Sequence, residues 1–215
     1  MKVNNDITQN TDEWYAIKLG KFSASIAADL LMDKKNKGYK NLIDKIVEER
    51  VTGNASESKA WSGDKFTERG HELEPIARTD YEDRTFSTAD ICGVIERDDW
   101  CLCSPDSLIG DDKMQQIKCP IFNTQRAYLS ILNKFRDTMT DNEIMCKISS
   151  SYYKQMQFEL MVSERSVNAF TSYHPKLPAI DLDIVRDEPL IKQIETRLEE
   201  AKKEVIEQIN LIKQL

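Results

Sequence analysis

A carboxylate, an amide and an amine occur at a spacing that could bring them together on one β-hairpin. Gln116 and Lys118 follow Asp106 by ten and twelve residues. Side chains alternate across a strand, so Gln116 and Lys118 are expected on the same face. If the chain turns back on itself at Gly110, Asp106 comes to lie beside that face. The spacing therefore predicts one site that holds all three groups.

Phosphodiester hydrolysis uses groups of this kind. A hard cation such as Mg²⁺ takes oxygen ligands, commonly one or two carboxylates, and water and substrate phosphate complete its shell. The cation lowers the pKa of a bound water, which a neighbouring lysine can orient or deprotonate. This chemistry requires an aspartate, a second carboxylate and a lysine. The alternative interpretation is a surface hairpin with solvated polar side chains, because such spacing also arises by chance.

Short strands between helices would position these groups. Residues 86–118 are rich in Val, Ile, Cys and Trp and are divided by turn residues, which predicts antiparallel strands. Two further strands are predicted over residues 166–175 and 180–186. Apolar residues three and four apart predict helices elsewhere. The first of these helices is capped by Ser23, and the second runs from about Lys40 to Val51 and ends at Gly53. The third begins at about Lys65 or Thr67; the alternative is a start near Glu74 and Pro75. Two more are predicted over residues 123–135 and 150–164.

The last thirty residues predict a long amphipathic helix. Its apolar face would carry Leu190, Ile194, Leu198, Ala201, Val205 and Ile209. Packing of this face on the chain's own core is the main expectation, and packing on a partner subunit is the alternative. Together the elements predict an α/β (α+β) fold in one domain over residues 1–215, with a mixed central sheet flanked by helices.

Composition narrows the class of protein. The net charge of −7 argues against a surface coated with basic groups, although a protein that grips DNA only in a cleft can stay acidic overall. The sequence has no bilayer-length apolar run and no apolar stretch like that of a signal peptide near its start, so a cytoplasmic protein without a membrane partner is expected. Five irregularly spaced cysteines predict no disulfide framework. Cys101, Cys103 and Cys119 are expected to be core thiols rather than ligands of zinc or an iron–sulfur cluster.

Five segments, in the same order, resemble the lambda exonuclease family, also called YqaJ-type viral recombinases, of the PD-(D/E)xK nuclease superfamily. The segments are WYAIKLGKFSAS, GHELEPIARTDYE, CSPDSL, QIKCP and YYKQMQFELM, and the resemblance extends from about Trp14 to Val185. It implies a restriction-endonuclease-like core and Mg²⁺-dependent degradation of linear double-stranded DNA from 5′ ends, with Mn²⁺ able to substitute. It also implies a homotrimeric ring, a single-strand annealing protein as partner, and a phage-type gene expressed in a bacterial host cell.

The resemblance assigns roles by position. It implies a metal site made by Asp106, Gln116, Glu96 and the backbone carbonyl of Ile117. The implied catalytic group contains Asp106, Gln116, Lys118, Glu74 and Gln155. Lys18 and Ser25 match positions that bind the 5′ phosphate of DNA, where a hydroxyl, helix amides and a cation make a suitable anion site.

Two of these positions depart from the family pattern. Position 116 is Glu in the family, and Gln116 is nearly the same size but neutral and a poorer metal ligand. A deliberate inactivating substitution is the favoured explanation; a natural variant with weakened metal binding and a nuclease-dead relative are the alternatives. We predict severely reduced turnover with fold and DNA binding preserved. Lys18 replaces an arginine, which keeps the charge but loses bidentate geometry.

Weaker candidates lie outside these motifs. Trp61 could stack on a base, and Lys34, Lys35 and Lys37 could contact phosphates, although a solvated loop is the simpler interpretation. His71 and His174 are too few and too far apart for a metal site. Two other functions stay open: a DNA-end-binding protein that recruits an annealing partner without cutting, and an endonuclease on the same core.

Overall fold

The structure, a computed structural model, describes residues 2–57 and 65–214, with side chains from residue 68 in the second range. Within these ranges the chain forms eight α-helices and nine β-strands. The helices are α1 (Asp12–Lys18), α2 (Ala27–Leu30), α3 (Lys37–Thr52), α4 (Lys65–Thr85), α5 (Phe122–Phe135), α6 (Asp141–Ile148), α7 (Ser150–Ser163) and α8 (Glu188–Lys213). The strands are β1 (Lys2–Asn4), β2 (Phe22–Ser23), β3 (Asp90–Ile91), β4 (Val94–Glu96), β5 (Cys101–Cys103), β6 (Ser107–Ile109), β7 (Lys113–Lys118), β8 (Val167–His174) and β9 (Leu177–Val185).

A five-stranded sheet in the order β3-β6-β7-β8-β9 carries the predicted hairpin. Strands β6 and β7 pair antiparallel, with Ser107 opposite Gln115 and Ile109 opposite Lys113. The turn passes through Gly110 at φ +54°, a left-handed conformation that glycine adopts without steric cost. Strands β7 and β8 are parallel and the other pairs antiparallel, which confirms a mixed sheet.

The second sheet has the order β1-β4-β5-β2. Strand β4 pairs antiparallel with β1 and β5, whereas β2 and β5 are parallel. The strands predicted over residues 86–118 therefore exist, but they divide between two sheets. The periodicity of a short strand says nothing about which partner it pairs with, and here the partners are as distant as residues 2–4.

Helix α4 begins at Lys65, which confirms the first of the two starts predicted for it, whereas two other predicted helix starts differ from the structure. Helix α4 continues through Pro75, so the prediction of a start near Glu74 and Pro75 is wrong. A proline in a helix interior costs one backbone hydrogen bond; the buried Ala77, Arg78 and Tyr81 show that the following turns are packed. At the other site, a 3₁₀ turn over Ala24–Ile26 precedes α2, and no side chain caps its start.

Helix α8 packs its apolar face on the chain's own core, as predicted. Ile191, Ile194, Leu198, Ala201 and Val205 are buried there, and Leu190 and Ile209 pack against the same core. Burial of each large aliphatic side chain contributes roughly 1.5–3 kcal/mol. The predicted apolar face of α8 is thus buried within its own chain.

Cys101 and Cys103 lie in the core, as predicted, whereas Cys119 is not fully buried. Cys92, Cys101 and Cys103 are buried, Cys119 is half-buried and Cys146 is exposed, and all five are free. Burial raises the pKa of Cys101 and of Cys119 to about 12, so both thiols are protonated at neutral pH. Among the described helices, none has the length and apolarity needed to cross a membrane.

Candidate active site

A cleft of about 650 Å³ opens where α4, β7, α5 and α7 meet. Asp106, Gln116 and Lys118 line it, together with Glu74 of α4 and Tyr152 of α7. The structure thus brings together the three groups that the hairpin spacing predicted. Their convergence follows from the register of β6 on β7, because the Asp106 N–H donates to the Gln115 carbonyl at 3.0 Å and so extends the ladder by one step.

The Asp106 carboxylate faces the start of the Gln116–Lys118 segment. Its Oδ2 accepts from the Ile117 backbone N–H at 2.5 Å and from Gln116 Nε2 at 2.6 Å. Ile117 also lines the cleft. A single oxygen of Asp106 is therefore fixed by two donors from the neighbouring strand, which sets the direction of the carboxylate.

Arg78 ties α4 to the hairpin. Its guanidinium donates to Glu74 Oε1 at 2.8 Å, to the Ser107 hydroxyl at 2.7 Å and to the Asp106 carbonyl at 3.2 Å. The side chain is buried, so these bonds compensate the loss of water around its charge. Sequence reasoning missed Arg78, although its place one helical turn after Glu74 is a usable signal.

Gln155 and Glu159 of α7 are connected to the cleft through Gln116, although neither is among the residues that line it. Gln155 Nε2 donates to Gln116 Oε1 and to Glu159 Oε1, both at 2.9 Å. Glu159 is buried and was not singled out from the sequence, yet it follows Gln155 by one turn of helix. Gln157, two residues from Gln155, points elsewhere: its amide bonds the Val185 carbonyl and the Asp187 N–H.

Lys118 and His71 place basic groups at the cleft. Lys118 Nζ lies 5.1 Å from the centroid of the Tyr152 ring, a distance at which the ring face attracts a cation. His71 lies one turn before Glu74 on α4 and lines the same cleft. His174 is separate: its ring packs edge-on against Phe122, and its Nδ1 accepts from the Lys176 N–H.

Burial raises the pKa of Asp106 to about 7, and the nearby charge of Glu74 adds to the effect. Lys118 and the Ile117 N–H act in the opposite direction but do not cancel it. Burial likewise raises the pKa of Glu159, against the hydrogen bonds from Gln155 and Asn168. A carboxyl with a pKa near neutrality in a cleft is typical of a functional position.

The donor set suits Mg²⁺ only in part. Asp106 and Glu74 supply the one or two carboxylates that this cation usually takes, with water as further ligands. Gln116, however, turns its nitrogen toward Asp106. In the described part of the chain, no three His, Cys, Asp or Glu side chains converge in a metal-binding arrangement. The residues therefore fit a divalent cation with one carboxylate too few.

Residues 13–166, more than half of the chain, match the YqaJ-like viral recombinase domain. The chain belongs to this family. Solved structures agree with the match. An alkaline exonuclease (LHK-Exo) from Laribacter hongkongensis is 29% identical, with a TM-score of 0.76, 95% of this chain and 97% of that chain covered.

The same LHK-Exo in complex with dAMP gives 28% identity and a TM-score of 0.78, over 95% of this chain and 97% of that one. A phage-related exonuclease from Haemophilus somnus 129PT is 16% identical, with a TM-score of 0.69 over 89% and 96% of the two chains, and shows the shared fold alone. Among curated proteins, none matches this sequence significantly. The predicted restriction-endonuclease-like α+β fold and the family assignment are confirmed.

One ligand that the family resemblance implied lies elsewhere. Glu96 stands on β4, and its carboxylate is 2.5 Å from Lys21 Nζ. It is absent from the residues that line the cleft. Strand β4 pairs with β1 and β5, not with the sheet of the hairpin, so the prediction of Glu96 as a metal ligand is wrong for this structure.

The two positions implied to bind a 5′ phosphate lie on separate short elements. Lys18 ends α1, and its Nζ lies 3.5 Å from the centroid of the Trp14 ring. Burial, with a smaller effect of Lys45, lowers the pKa of Lys18 to about 8. Ser25 is exposed in the 3₁₀ turn, and its hydroxyl lies 3.2 Å from that of Ser23.

Of the weaker DNA-binding candidates, the three lysines are not among the residues that line the cleft. Lys34, Lys35 and Lys37 are exposed at the start of α3. Lys34 Nζ lies 3.2 Å from Glu200 on α8, so part of its charge is already balanced. Trp61 lies outside the described residues. Phosphate contacts by these lysines stay a prediction.

Proposed function

We propose that this protein is a DNA exonuclease that hydrolyses linear double-stranded DNA from its ends with the help of Mg²⁺. The observation that carries the proposal is the convergence of Asp106, position 116 and Lys118 with Glu74 in one cleft. The similarity to the alkaline exonuclease LHK-Exo supports it, and the dAMP held by LHK-Exo is a mononucleotide of the kind that such an enzyme would release.

Four residues that line the cleft, and Arg78 beside them, have tasks in this proposal. Asp106 and Glu74 would hold the cation, with Mn²⁺ able to replace Mg²⁺; when bound, the metal lowers the pKa of water and offsets phosphate charge. Lys118 orients the attacking water and stabilises the added negative charge of the phosphate. Arg78 holds Glu74 in place, and Tyr152 limits the freedom of the Lys118 ammonium.

Gln116 is the reason to expect little turnover from this chain. A neutral amide neither attracts the cation as a carboxylate does nor, in this geometry, presents an oxygen to it. Ligands in the outer shell already change metal affinity by about 10–100-fold when mutated, and a direct ligand should matter more. We therefore expect this chain, with Gln116, to be less active than its Gln116→Glu variant by about 100-fold or more.

Polarity and assembly belong to the same proposal. Degradation from 5′ ends, with Lys18 and Ser25 at the terminal phosphate, is supported by their place in the family pattern. We further propose, as the resemblance to the family implies, a homotrimeric ring, a single-strand annealing partner, a bacterial cytoplasm and one nuclease domain over residues 1–215.

Restoring the carboxylate tests the function. Gln116→Glu should gain Mg²⁺-dependent digestion of linear duplex DNA, with a preference for 5′-phosphorylated ends, while closed circular DNA stays intact. The control is Gln116→Glu combined with Lys118→Met, which should lose the gain. Digestion of circles would instead indicate an endonuclease.

A second function is favoured by Gln116 itself. If neither the native chain nor Gln116→Glu cuts DNA but both bind duplex ends, the protein acts as a non-cutting end-binding protein. Measuring end binding and digestion on the same labelled duplex separates these outcomes.

A further inference from the structure

A continuous chain of hydrogen bonds runs from β8 through α7 to the cleft. Asn168 Nδ2 donates to Glu159 Oε2 at 2.7 Å, and Gln155 Nε2 donates to Glu159 Oε1 at 2.9 Å. The same Gln155 nitrogen donates to Gln116 Oε1 at 2.9 Å, and Gln116 Nε2 donates to Asp106 Oδ2 at 2.6 Å. We call these five side chains the relay.

The direction of the relay is fixed at Glu159. Both oxygens of Glu159 accept hydrogen bonds, one from Asn168 Nδ2 and one from Gln155 Nε2, so the Gln155 nitrogen faces Glu159. Glu159 is 1% exposed, and Asn168, fully buried beside it, occupies the second oxygen. The other end of the Asn168 amide, Oδ1, has no partner within the described part of the chain. Its orientation is thus set by Glu159 alone.

This direction decides which end of the Gln116 amide meets Asp106. Because the second N–H of Gln155 Nε2 donates to Gln116 Oε1, it is the Gln116 nitrogen that faces Asp106. A donor then lies against the carboxylate where a cation would otherwise bind. With Glu at position 116, the same relay would satisfy one carboxylate oxygen and leave the other facing Asp106, an arrangement that a divalent cation stabilises.

We propose that Glu159, held by Asn168, is a positioning residue that orients Gln155 and thereby locks the Gln116 nitrogen against Asp106. The consequence for metal binding rests on the proposed function, but the amide orientation does not. In this chain the relay holds an N–H donor against Asp106, where a cation would bind. In the Gln116→Glu variant it would instead hold a carboxylate oxygen beside Asp106, where that oxygen can bind a cation.

Side-chain amide NMR tests the orientation directly. The Gln116 NH₂ signals of the ¹⁵N-labelled protein are assigned by their loss in Gln116→Glu. Glu159→Met removes the hydrogen bond that orients Gln155, so Gln155 no longer holds the Gln116 amide in place. Exchange of the Gln116 NH₂ protons with water should then accelerate by about tenfold or more. Gln157→Met is the matched control, because it removes an equally buried side chain of the same helix outside the relay; it should leave the signals unchanged. Unchanged signals in a folded Glu159→Met protein would overturn the proposal.

Glu159→Gln covers the case in which Glu159→Met does not fold. Its amide can either accept from or donate to Gln155, and it can donate to the free Asn168 Oδ1. The one-way constraint is then lost, so the Gln116 signals should shift or split into two sets. A spectrum of Gln116 identical to that of the native chain would contradict a positioning role.

Mn²⁺ titration connects the relay to the metal. Gln116→Glu should bind Mn²⁺ at least about tenfold more tightly than the native chain, and adding Glu159→Met should reverse this by about 10–100-fold, the usual effect of an outer-shell partner. Adding Gln157→Met should not. If Gln116→Glu gains no affinity, the proposed metal site fails while the NMR result stands. If affinity rises but is indifferent to Glu159, the positioning role fails instead.

Discussion

At the scale of single residues, Asp106 combines two properties that conflict in a metal-free protein. It is held rigidly by the Ile117 N–H and by Gln116, and burial beside Glu74 raises its pKa to about 7. The cleft thus holds a carboxylate that is poorly solvated when ionised. A divalent cation would relieve that cost, so binding and protonation should compete.

Metal affinity should therefore fall with acidity. Below pH 7 the folded protein keeps the proton on Asp106, and a cation must displace it, so the Mn²⁺ affinity of Gln116→Glu should drop by up to about tenfold per pH unit. Calorimetry in buffers of different ionisation enthalpy at pH 6 and pH 8 would measure the released proton. An affinity that is independent of pH over this range would contradict the assignment.

In the absence of metal, the stability of the folded protein should change with pH in the opposite direction to the metal affinity: it should fall as the pH rises. A carboxyl whose pKa is raised from 3.8 to about 7 on folding stabilises the folded protein at low pH, and that contribution is lost as pH rises through this range. Asp106→Asn avoids the loss and should be more stable than the native chain in EDTA at pH 8, by about 1 kcal/mol or more. The advantage should shrink at pH 5.

Urea unfolding at the two pH values measures this difference. Asp111→Asn is the control, because Asp111 is exposed in the turn of the same hairpin. It should show no such dependence on pH. Equal behaviour of the two variants would mean that Asp106 ionises as freely as a surface aspartate.

At the scale of elements, the hairpin turn determines whether Asp106 reaches position 116. Gly110 has φ +54°, and a Cβ there would meet no atom within 4 Å, so backbone strain is the whole cost of a side chain. Gly110→Ala should lose about 1 kcal/mol of stability and, in the Gln116→Glu background, weaken Mn²⁺ binding.

Gly53 provides the matched comparison for this variant. It ends α3 at φ +69°, and a Cβ there would also meet nothing within 4 Å. Gly53→Ala should cost similar stability in thermal unfolding and leave Mn²⁺ binding unchanged. Equal effects of the two variants on metal affinity would show that the turn does not position the site.

The sequence was sufficient for the parts of the site that lie close together along the chain. Strand alternation placed Gln116 and Lys118 on one face, and the glycine turn brought Asp106 beside them. Helical spacing connects Glu74 with Arg78 and Gln155 with Glu159, although neither partner was recognised beforehand. The local periodicity of strands and helices therefore predicts most of the contacts among the residues of the site.

The sequence did not predict which distant strands and helices contact each other. Glu96 followed a strand-like segment, but the choice of β1 and β5 as partners for β4 took it to the other sheet. Pro75 gave a local signal for a helix start that the packing of Ala77 and Tyr81 overrode. Likewise, the contact between Asn168 and Glu159 depends on how α7 lies on β8, which no short motif encodes.

At the scale of the whole molecule, charge must be arranged locally for DNA to bind. The chain carries a net charge of −7, so favourable contacts with phosphates have to come from particular lysines rather than from the overall field. Lys35 and Lys37 are exposed, whereas Lys34 already pairs with Glu200.

The salt dependence of DNA binding should show which of these lysines contact phosphates. Each lysine that contacts a phosphate contributes about 0.9 to the slope of log affinity against log salt. Replacing Lys35 and Lys37 with Gln should lower the slope by about 1–2, and replacing Lys34 should lower it less. Lys192→Gln with Lys203→Gln on the exposed side of α8 changes the net charge equally and should leave the slope unaltered. Identical slopes for both double variants would remove Lys35 and Lys37 from the DNA interface.

The N-terminal segment is fastened to the loop that carries Asp106. The Trp14 indole donates to the Ser104 hydroxyl at 3.0 Å, and Gln9 Nε2 donates to the carbonyls of Cys92 and Pro105. A protein trimmed to the matched family boundaries would begin after Gln9 and end before β8, β9 and α8. Such a fragment would keep Asp106, Gln116 and Lys118 and the contact between Trp14 and Ser104. It would lose the Gln9 contacts and the β8 strand that pairs with β7, so shortened versions are poor material for crystallisation or enzymology of this site.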